Sequence, residues 1–316
     1  MVEARMAVAE LNDETLRDGI QSPSARHPAL DAKLEALHLM ARLGVDAVSL
    51  GLPAAGRLQE QHVQALLRES VQSHLGMEVH CAGRTRVEDL RPVAEIIQRV
   101  GSPLGVYAFL GSSPIRRYAE GWSLDDILRT LEAALRFAAR EGLEVAFVTE
   151  DTVRSRPEDL ERLFEVAIRF GARRLVLCDT VGYATPTGAE RLVRFTREVL
   201  ERLEASDVAL DWHGHDDRGL AVANSLAAEA AGVDRIHGTM LGMGERCGNA
   251  PLDQLLSSRG AGFDLEALER YRDLVCEAFD WEISPSYPWP SRHRDRANTT
   301  RIAIPTKPAS LSVAAS

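Results

Sequence analysis

The strongest constraint on the fold is an eightfold alternation of short apolar segments with longer amphipathic ones. The short segments recur about every 30 residues, which is the length of a strand followed by a helix. Strands are predicted at residues 6–11, 47–52, 77–81, 104–110, 144–149, 174–178, 208–212 and 235–239. Eight such units predict a TIM (β/α)₈ barrel. A doubly wound open sheet is the alternative, but it usually has fewer strands, and no GxGxxG motif opens a helix here.

The segments between the predicted strands have helical periodicity with recognisable ends. Ser123 is a predicted N-cap with Asp126 at the third position, and Gly142 follows the same helix as a stop. Pro157 fits the first turn of the next helix. The alanine-rich segment 220–231 is a strong helix former.

The chain length fits one barrel with a short extension. The sequence has 316 residues, of which 45% are hydrophobic and 27% charged, an ordinary composition for a globular domain. We assign residues 1–262 to the barrel. Residues 263–316 are predicted to form a C-terminal helix and a short irregular C-terminal extension, because the last 32 residues show no helical period.

Charge and cysteine usage exclude several classes of function. A net charge of −10 argues against nucleic acid and anionic membrane surfaces as partners. No 18-residue apolar run predicts a membrane span, and the N-terminus lacks the apolar core of a signal peptide, so we expect a cytoplasmic protein. The four cysteines form no CxxC pair and are expected to be free thiols.

Polar side chains are concentrated directly after the predicted strands. Active sites of such barrels lie at the C-terminal ends of the strands, so these residues are candidates for a site. They are Arg17, Asp18, Arg84, Glu150, Asp179, Thr180, His213, His215, Glu245 and Asn249. The alternative for the adjacent Arg17 and Asp18 is a surface ion pair, which would contribute little to stability.

The motif WHGHDDRG indicates a metal site. His213 and His215 project to the same side of an extended chain, and two imidazoles on one face suit a divalent metal. Two polar loop histidines are the alternative. Asp18 and Asn249 are candidates for further ligands, and such a mixed nitrogen and oxygen set suits Mg²⁺, Mn²⁺, Zn²⁺ or Co²⁺ without choosing among them.

Two further motifs are candidates for substrate contacts. The glycine-rich segment GTMLGMGERCGNAPLDQ, which includes Gly244 and Glu245, is read as a loop that covers substrate, with a flexible connection as the alternative. In CDTVGYATP, Thr180 could bind a substrate carboxylate. Asp179 could instead cap the helix that follows.

Five motifs in order resemble one superfamily, the DRE-TIM metallolyases, in the branch of 2-isopropylmalate synthase and homocitrate synthase. They are TLRDGIQSP, VTEDTVRS, DTVGYATP, HGHDDRGLAVANSLAA and GMGERCGNAPLD. The resemblance implies an acyltransferase that condenses an acyl-CoA, usually acetyl-CoA, with a 2-oxo acid in a Claisen-type reaction. Hydrolysis of the thioester then gives a 2-hydroxy di- or tricarboxylate and CoA. A homodimer is a further expectation from the resemblance.

The resemblance also implies roles for individual residues. It places the metal on Asp18, His213, His215 and Asn249. Arg17 would stabilise charge on the reacting oxygen, and Glu150 would assist proton transfer or order a water. The resemblance implies that Thr180 binds the oxo-acid carboxylate, and Arg84, Gly244 and Glu245 are further candidates for substrate binding.

The sequence departs from the family pattern at several positions. Ile20 and Ser49 stand where the family commonly has carboxylates, and Ala146 stands where homocitrate synthases carry an arginine that binds 2-oxoglutarate. Arg84 could replace that arginine. The family also continues into a lid subdomain with a catalytic histidine and tyrosine, which the sequence after Tyr287 does not resemble. Two alternatives therefore stay open: a C–C lyase or aldolase on the same barrel, and a non-catalytic paralogue that binds metal and a 2-oxo acid.

Overall fold

The computed structural model describes residues 8–260 and 262–289. Its eight strands form a closed barrel in chain order, and all neighbouring strands are parallel, including β8 against β1. The strands are β1 Glu10–Asp13, β2 Ala47–Ser49, β3 Glu78–Arg84, β4 Gly105–Gly111, β5 Val145–Glu150, β6 Arg174–Asp179, β7 Ala209–Gly214 and β8 Arg235–Gly238. The predicted TIM barrel is confirmed.

Helices cover the outside of the barrel. They are α1 Leu30–Arg42, α2 Arg57–Gln72, α3 Val87–Val100, α4 Pro114–Glu120, α5 Leu124–Glu141, α6 Pro157–Arg169, α7 Pro186–Arg202, α8 Ala221–Ala230, α9 Leu252–Ser258 and α10 Leu265–Ala278. The predicted end signals are confirmed, since Ser123 and Asp126 form a reciprocal capping box on α5 and Gly142 ends that helix. Pro157 opens α6 as expected.

The apolar core lies mainly between the barrel and its helices, whereas much of the barrel interior is polar. A small apolar cluster inside the barrel contains Tyr107, Ala146, Val176 and Cys178. Arg235 lies fully buried in the same interior. The interior therefore combines an apolar sector with a charged one.

The strand bounds differ from the predicted ones. The first strand begins at Glu10 and ends at Asp13, so the prediction of residues 6–11 was displaced towards the N-terminus. Arg84, Glu150 and Asp179 are the last residues of their strands rather than loop residues, and His213 lies within β7. The apolar pattern did not predict these strand ends because the last residues of the strands are polar.

The part after the barrel begins with α10, which packs beside α1. The Tyr271 hydroxyl on α10 donates a hydrogen bond to Asp13 at 3.1 Å, and the Tyr287 hydroxyl donates to Asp253 at 2.9 Å. Residues 290–316 of the predicted irregular tail lie outside the described residues, so the division at residue 262 stays a prediction. No helix in the described ranges is both long and apolar enough to cross a membrane. The four cysteines are free thiols, as predicted.

Candidate active site

A cavity of about 210 Å³ opens at the C-terminal end of the barrel. Residues from each of the strands β3 to β8 contribute to its lining, and Glu14 and Leu52 lie just beyond β1 and β2. The candidates among the lining residues are Arg17, Asp18, Glu150, Thr180, His213, His215 and Glu245. The barrel topology thus brings together side chains that are more than 200 residues apart in the chain.

Three candidate metal ligands converge beside this cavity. The Asp18 Oδ2 atom lies 3.1 Å from His213 Nε2 and 3.7 Å from His215 Nε2, and the two Nε2 atoms are 3.3 Å apart. All three residues are buried. Ligand atoms that share one ion at about 2.0–2.2 Å are separated by roughly 3–4 Å, so these side chains fit a single divalent ion.

The electrostatics of this cluster favour metal-binding protonation states. Burial opposes ionisation of Asp18, but the charge of Arg17 and the contact with His213 hold the pKa of its carboxyl below the ordinary range. Burial lowers the pKa of His215 to about 4, so this imidazole is neutral near pH 7. Metals bind carboxylate and neutral imidazole, and the cluster supplies both.

Asn249, the fourth predicted ligand, would add an oxygen to the two nitrogens and one oxygen of this cluster. It pairs with His215 in an isolated β-bridge, and its Nδ2 donates a hydrogen bond to the Met243 carbonyl at 2.9 Å. Its buried Oδ1 has no hydrogen-bond partner among the described residues. Because buried polar atoms are normally paired, an unpaired oxygen beside this cluster fits a metal ligand.

Gly244 packs against this asparagine instead of lining the cavity. A Cβ at Gly244 would lie 2.2 Å from Asn249 Nδ2, and the backbone φ of +144° also disfavours an L residue. Gly244 is therefore placed to support Asn249, and its predicted contact with substrate stays a prediction.

Arg84, which was also predicted to bind substrate, does not line the cavity. It lies on an outer surface. Its guanidinium forms two hydrogen bonds to Asp89, at 2.8 and 2.9 Å, and it lines a different depression between α2 and α3. The expectation that Arg84 replaces an arginine on strand 5 is not supported, because Asp89 on α3 draws its side chain away from the barrel mouth.

Arg17 is held at the cavity by a carboxylate that the sequence analysis missed. Its Nε donates a hydrogen bond to Glu14 Oε2 at 2.7 Å, and one terminal nitrogen lies 3.6 Å from Asp18 Oδ2. Glu14, Tyr107 and His237 also line the cavity. His237 lies two residues after Arg235 on β8, and this spacing of polar residues on one face of a strand was a signal that could have identified it.

Glu150 at the end of β5 and Thr180 just after β6 also line the cavity. Burial raises the pKa of Glu150, with Arg116 opposing the shift. The Thr180 hydroxyl accepts a hydrogen bond from the Asp151 backbone N–H at 2.8 Å, so its own hydrogen stays available for another acceptor. Glu245 lines the rim and is more exposed.

The glycine-rich loop is fixed against its neighbours. Arg246 forms two hydrogen bonds with Asp217, at 2.7 and 3.0 Å, and donates a third to the Thr180 carbonyl at 2.6 Å. Most of residues 238–251 are buried. The expected backbone freedom is therefore absent in this loop, whose glycines allow close packing at the barrel mouth.

Asp179 stabilises the loop before α7 and does not cap the helix. Its two carboxylate oxygens accept hydrogen bonds from the backbone N–H groups of Tyr183 and Ala184, at 2.7 and 3.1 Å. The N-cap of α7 is Thr185. The capping alternative for Asp179 was wrong because the chain makes a tight loop before the helix begins.

The sequence also matches a known protein family. The HMGL-like family profile matches residues 9–263. The chain belongs to the HMGL-like family. This confirms the resemblance to the DRE-TIM superfamily.

Curated relatives of this HMGL-like chain include synthases. A 2-isopropylmalate synthase of Sediminispirochaeta smaragdinae is 33% identical over 80% of this chain and 50% of its own length. Another, from Nitratidesulfovibrio vulgaris, is 37% identical over 77% and 46%. Homocitrate synthase AksA of Methanopyrus kandleri is 32% identical over 87% and 67%. The chain spans about half the length of the 2-isopropylmalate synthases that it matches.

Solved structures support the fold of this HMGL-like chain. An HMG-CoA lyase of Acinetobacter baumannii superposes with a TM-score of 0.72 at 18% identity, covering 95% of this chain and 99% of the other. Hydroxymethylglutaryl-CoA lyase of Pseudomonas aeruginosa gives 0.68 at 19% identity, covering 86% and 92%. At these identities the likeness establishes the barrel alone.

Proposed function

We propose that this chain catalyses a metal-dependent Claisen-type condensation of an acyl-CoA, acetyl-CoA in the first instance, with a 2-oxo acid. The supporting observation is the convergence of Asp18, His213 and His215 beside Arg17 at the C-terminal end of the barrel. The synthase relatives support the same reaction class. The chain would therefore act as an acyltransferase.

The reaction requires a proton acceptor and a stabiliser of negative charge. The acetyl α-carbon loses a proton and bonds to the oxo carbon, whose oxygen then takes up a proton. Water next cleaves the thioester and releases the CoA thiol with a 2-hydroxy di- or tricarboxylate. A divalent ion held by Asp18, His213, His215 and Asn249 would supply Lewis-acid polarisation of the oxo group.

The side chains of the cavity divide the remaining work. Arg17 directs a fixed guanidinium into the cavity, where it would stabilise developing oxyanion charge without reorganisation. The hydroxyl hydrogen of Thr180 is free to bind the oxo-acid carboxylate. Glu150, with a pKa raised by burial, would accept a proton or order a water.

The apolar side of the cavity favours a 2-oxo acid with an alkyl side chain. Phe109, Val148 and Val176 on β4 to β6 supply apolar side chains to the lining, as does Leu52 after β2. Among the described residues, Arg17 is the one Lys or Arg that lines the cavity, and Glu14 and Asp18 already flank it. A second substrate carboxylate would find no unpaired cation there, so we expect poor use of 2-oxoglutarate.

A thiol-release assay with acetyl-CoA, a panel of 2-oxo acids and each of four divalent metals tests this proposal. We expect metal-dependent release of CoA with alkyl 2-oxo acids, together with the matching 2-hydroxy product by mass spectrometry. Cleavage of a hydroxyacyl-CoA without any thiol release from the panel would replace the synthase assignment with the lyase. Calorimetric binding of a 2-oxo acid without turnover in either direction would support the non-catalytic paralogue.

A further inference from the structure

A chain of buried polar contacts runs from Arg17 into the barrel interior. The Arg17 Nε donates to Glu14 Oε2 at 2.7 Å, and the other oxygen, Glu14 Oε1, lies 3.2 Å from His237 Nδ1. On the far side of that ring, His237 Nε2 lies 3.0 Å from Asp211 Oδ2. Glu14, His237 and Asp211 are at most 2% exposed.

The imidazole of His237 is held at both ends. Each ring nitrogen faces a carboxylate, and a carboxylate only accepts hydrogen bonds, so both nitrogens must donate for the contacts to be favourable. A ring with two donors is the imidazolium, which compensates the charges of Glu14 and Asp211 inside the barrel. Asp211 also pairs with Arg174, which anchors the far end of the chain.

Glu14 in turn has no freedom to rotate. Its Oε1 also accepts a hydrogen bond from Asn12 Nδ2 at 2.8 Å, while its Oε2 accepts from Arg17. Among the described residues, its side-chain partners Asn12, Arg17 and His237 are all donors. These contacts fix the orientation of the Glu14 carboxylate. The carboxylate in turn orients the Arg17 guanidinium that is bonded to it towards the cavity.

We propose that Glu14 and His237 are positioning residues that fix the direction of the Arg17 guanidinium in the active site. The expected effect on turnover rests on the proposed function, whereas the contacts from which the positioning role is inferred are independent of it. An unrestrained arginine side chain samples many rotamers. Misplacement of a reacting group by about 1 Å can cost roughly 100-fold in rate, so such a restraint matters for charge stabilisation.

Glu14→Gln and His237→Gln test the chain at two independent points. A glutamine at position 14 has one accepting end for donors on both sides, so it cannot serve Arg17 and His237 together. A glutamine at position 237 cannot donate at both ends. We expect kcat to fall about 10- to 100-fold, with KM for the 2-oxo acid within about threefold of wild type and unchanged metal content. The melting temperature should also fall, because each variant leaves a buried charge without its partner, but both variants should stay folded at the temperature of the assay.

The matched control is Glu78→Gln. Glu78 also lies on a strand facing the barrel interior and pairs with a buried arginine, Arg235, but it lies at the N-terminal end, outside the cavity. We expect its kcat to equal that of wild type. Wild-type kcat in both test variants, or an equal loss in the control, would overturn the proposal.

A second readout does not depend on turnover. In ¹⁵N NMR spectra the Arg17 Nε–H signal, assigned by its loss in Arg17→Lys, should be protected from solvent exchange in wild type and Glu78→Gln. It should exchange rapidly in both test variants. Rapid exchange in wild type would overturn the positioning role even if no variant folds. If wild type shows no condensation but the NMR pattern holds, the positioning role stands and the proposed reaction fails.

Discussion

Replacement of Gly244 by alanine tests whether this glycine supports Asn249 as a metal ligand. The added Cβ would lie 2.2 Å from Asn249 Nδ2, far inside van der Waals contact. Asn249 cannot retreat without losing the hydrogen bond from this same nitrogen to the Met243 carbonyl at 2.9 Å. Its Oδ1, which has no hydrogen-bond partner among the described residues, would move with it.

The structure offers a control with the same backbone strain and no contact. Gly56 has a φ of +142°, against +144° for Gly244, and a Cβ there would meet nothing within 4 Å. Such a conformation costs an L residue about 1–3 kcal/mol, so Gly56→Ala should lose about that much stability. Gly244→Ala should lose more, because its Cβ also displaces Asn249. Disturbing the support of a metal ligand typically costs about 10- to 100-fold in affinity, and only Gly244→Ala should show that loss.

Calorimetric titration of metal-free protein with Zn²⁺, Mn²⁺ or Co²⁺ gives the affinities, and urea unfolding gives the stabilities. Wild-type metal affinity in Gly244→Ala, with the expected loss of stability, would refute the role of Asn249 as a ligand held by this contact. An equal loss of affinity in Gly56→Ala would attribute the effect to general destabilisation.

Three further predictions concern ligands, a surface arginine and a buried lysine. Asp18→Ala and His213→Ala should each lose most of their bound metal by elemental analysis, and full content in both would show that the ligand set is wrong. Arg84→Ala should leave kcat/KM within about twofold of wild type, because Asp89 holds its guanidinium outside the cavity; a large rise in KM would restore it as a substrate contact. Lys33 on α1 is 1% exposed, and burial lowers its pKa from 10.5 to about 8. Because the unfolded chain binds this proton more tightly, the stability of wild type should rise from pH 8 to pH 10.5. Lys33→Met should be more stable than wild type at pH 7 and should lack the rise that is due to Lys33. Urea unfolding at several pH values measures both effects.

The topology could be predicted because it depends on local patterns repeated along the chain. Apolar strand segments, the Ser123 capping box and Pro157 each act within a few residues, and eight repeats of the same unit leave few alternatives. The candidate ligands were also accessible, since the geometry of a strand end places His213 and His215 on one side. Their meeting with Asp18 follows from closure of the barrel between β8 and β1.

Contacts between distant side chains could not be predicted in the same way. Arg84 follows the expected pattern of a strand-end residue, but a carboxylate five positions later captures it. Gly244 stands in a motif that suggests substrate contact, and only the distance to Asn249 shows its support of that side chain. Both outcomes depend on side-chain packing in three dimensions, which spacing along the chain does not specify.

The polar sector of the barrel interior follows from the two-residue period of its strands. Asp211 and His213 on β7 face the same side as Arg235 and His237 on β8, while Val148 on β5 and Val176 on β6 add apolar side chains to the lining of the cavity. Buried charges are tolerated only when they are paired, so each ionic group in this sector needs an oppositely charged partner on a neighbouring strand. The same pairing that makes the sector stable also fixes the direction of the groups at its upper end. A site with one charged and one apolar side can orient a substrate whose polar end reacts while its alkyl end is only held.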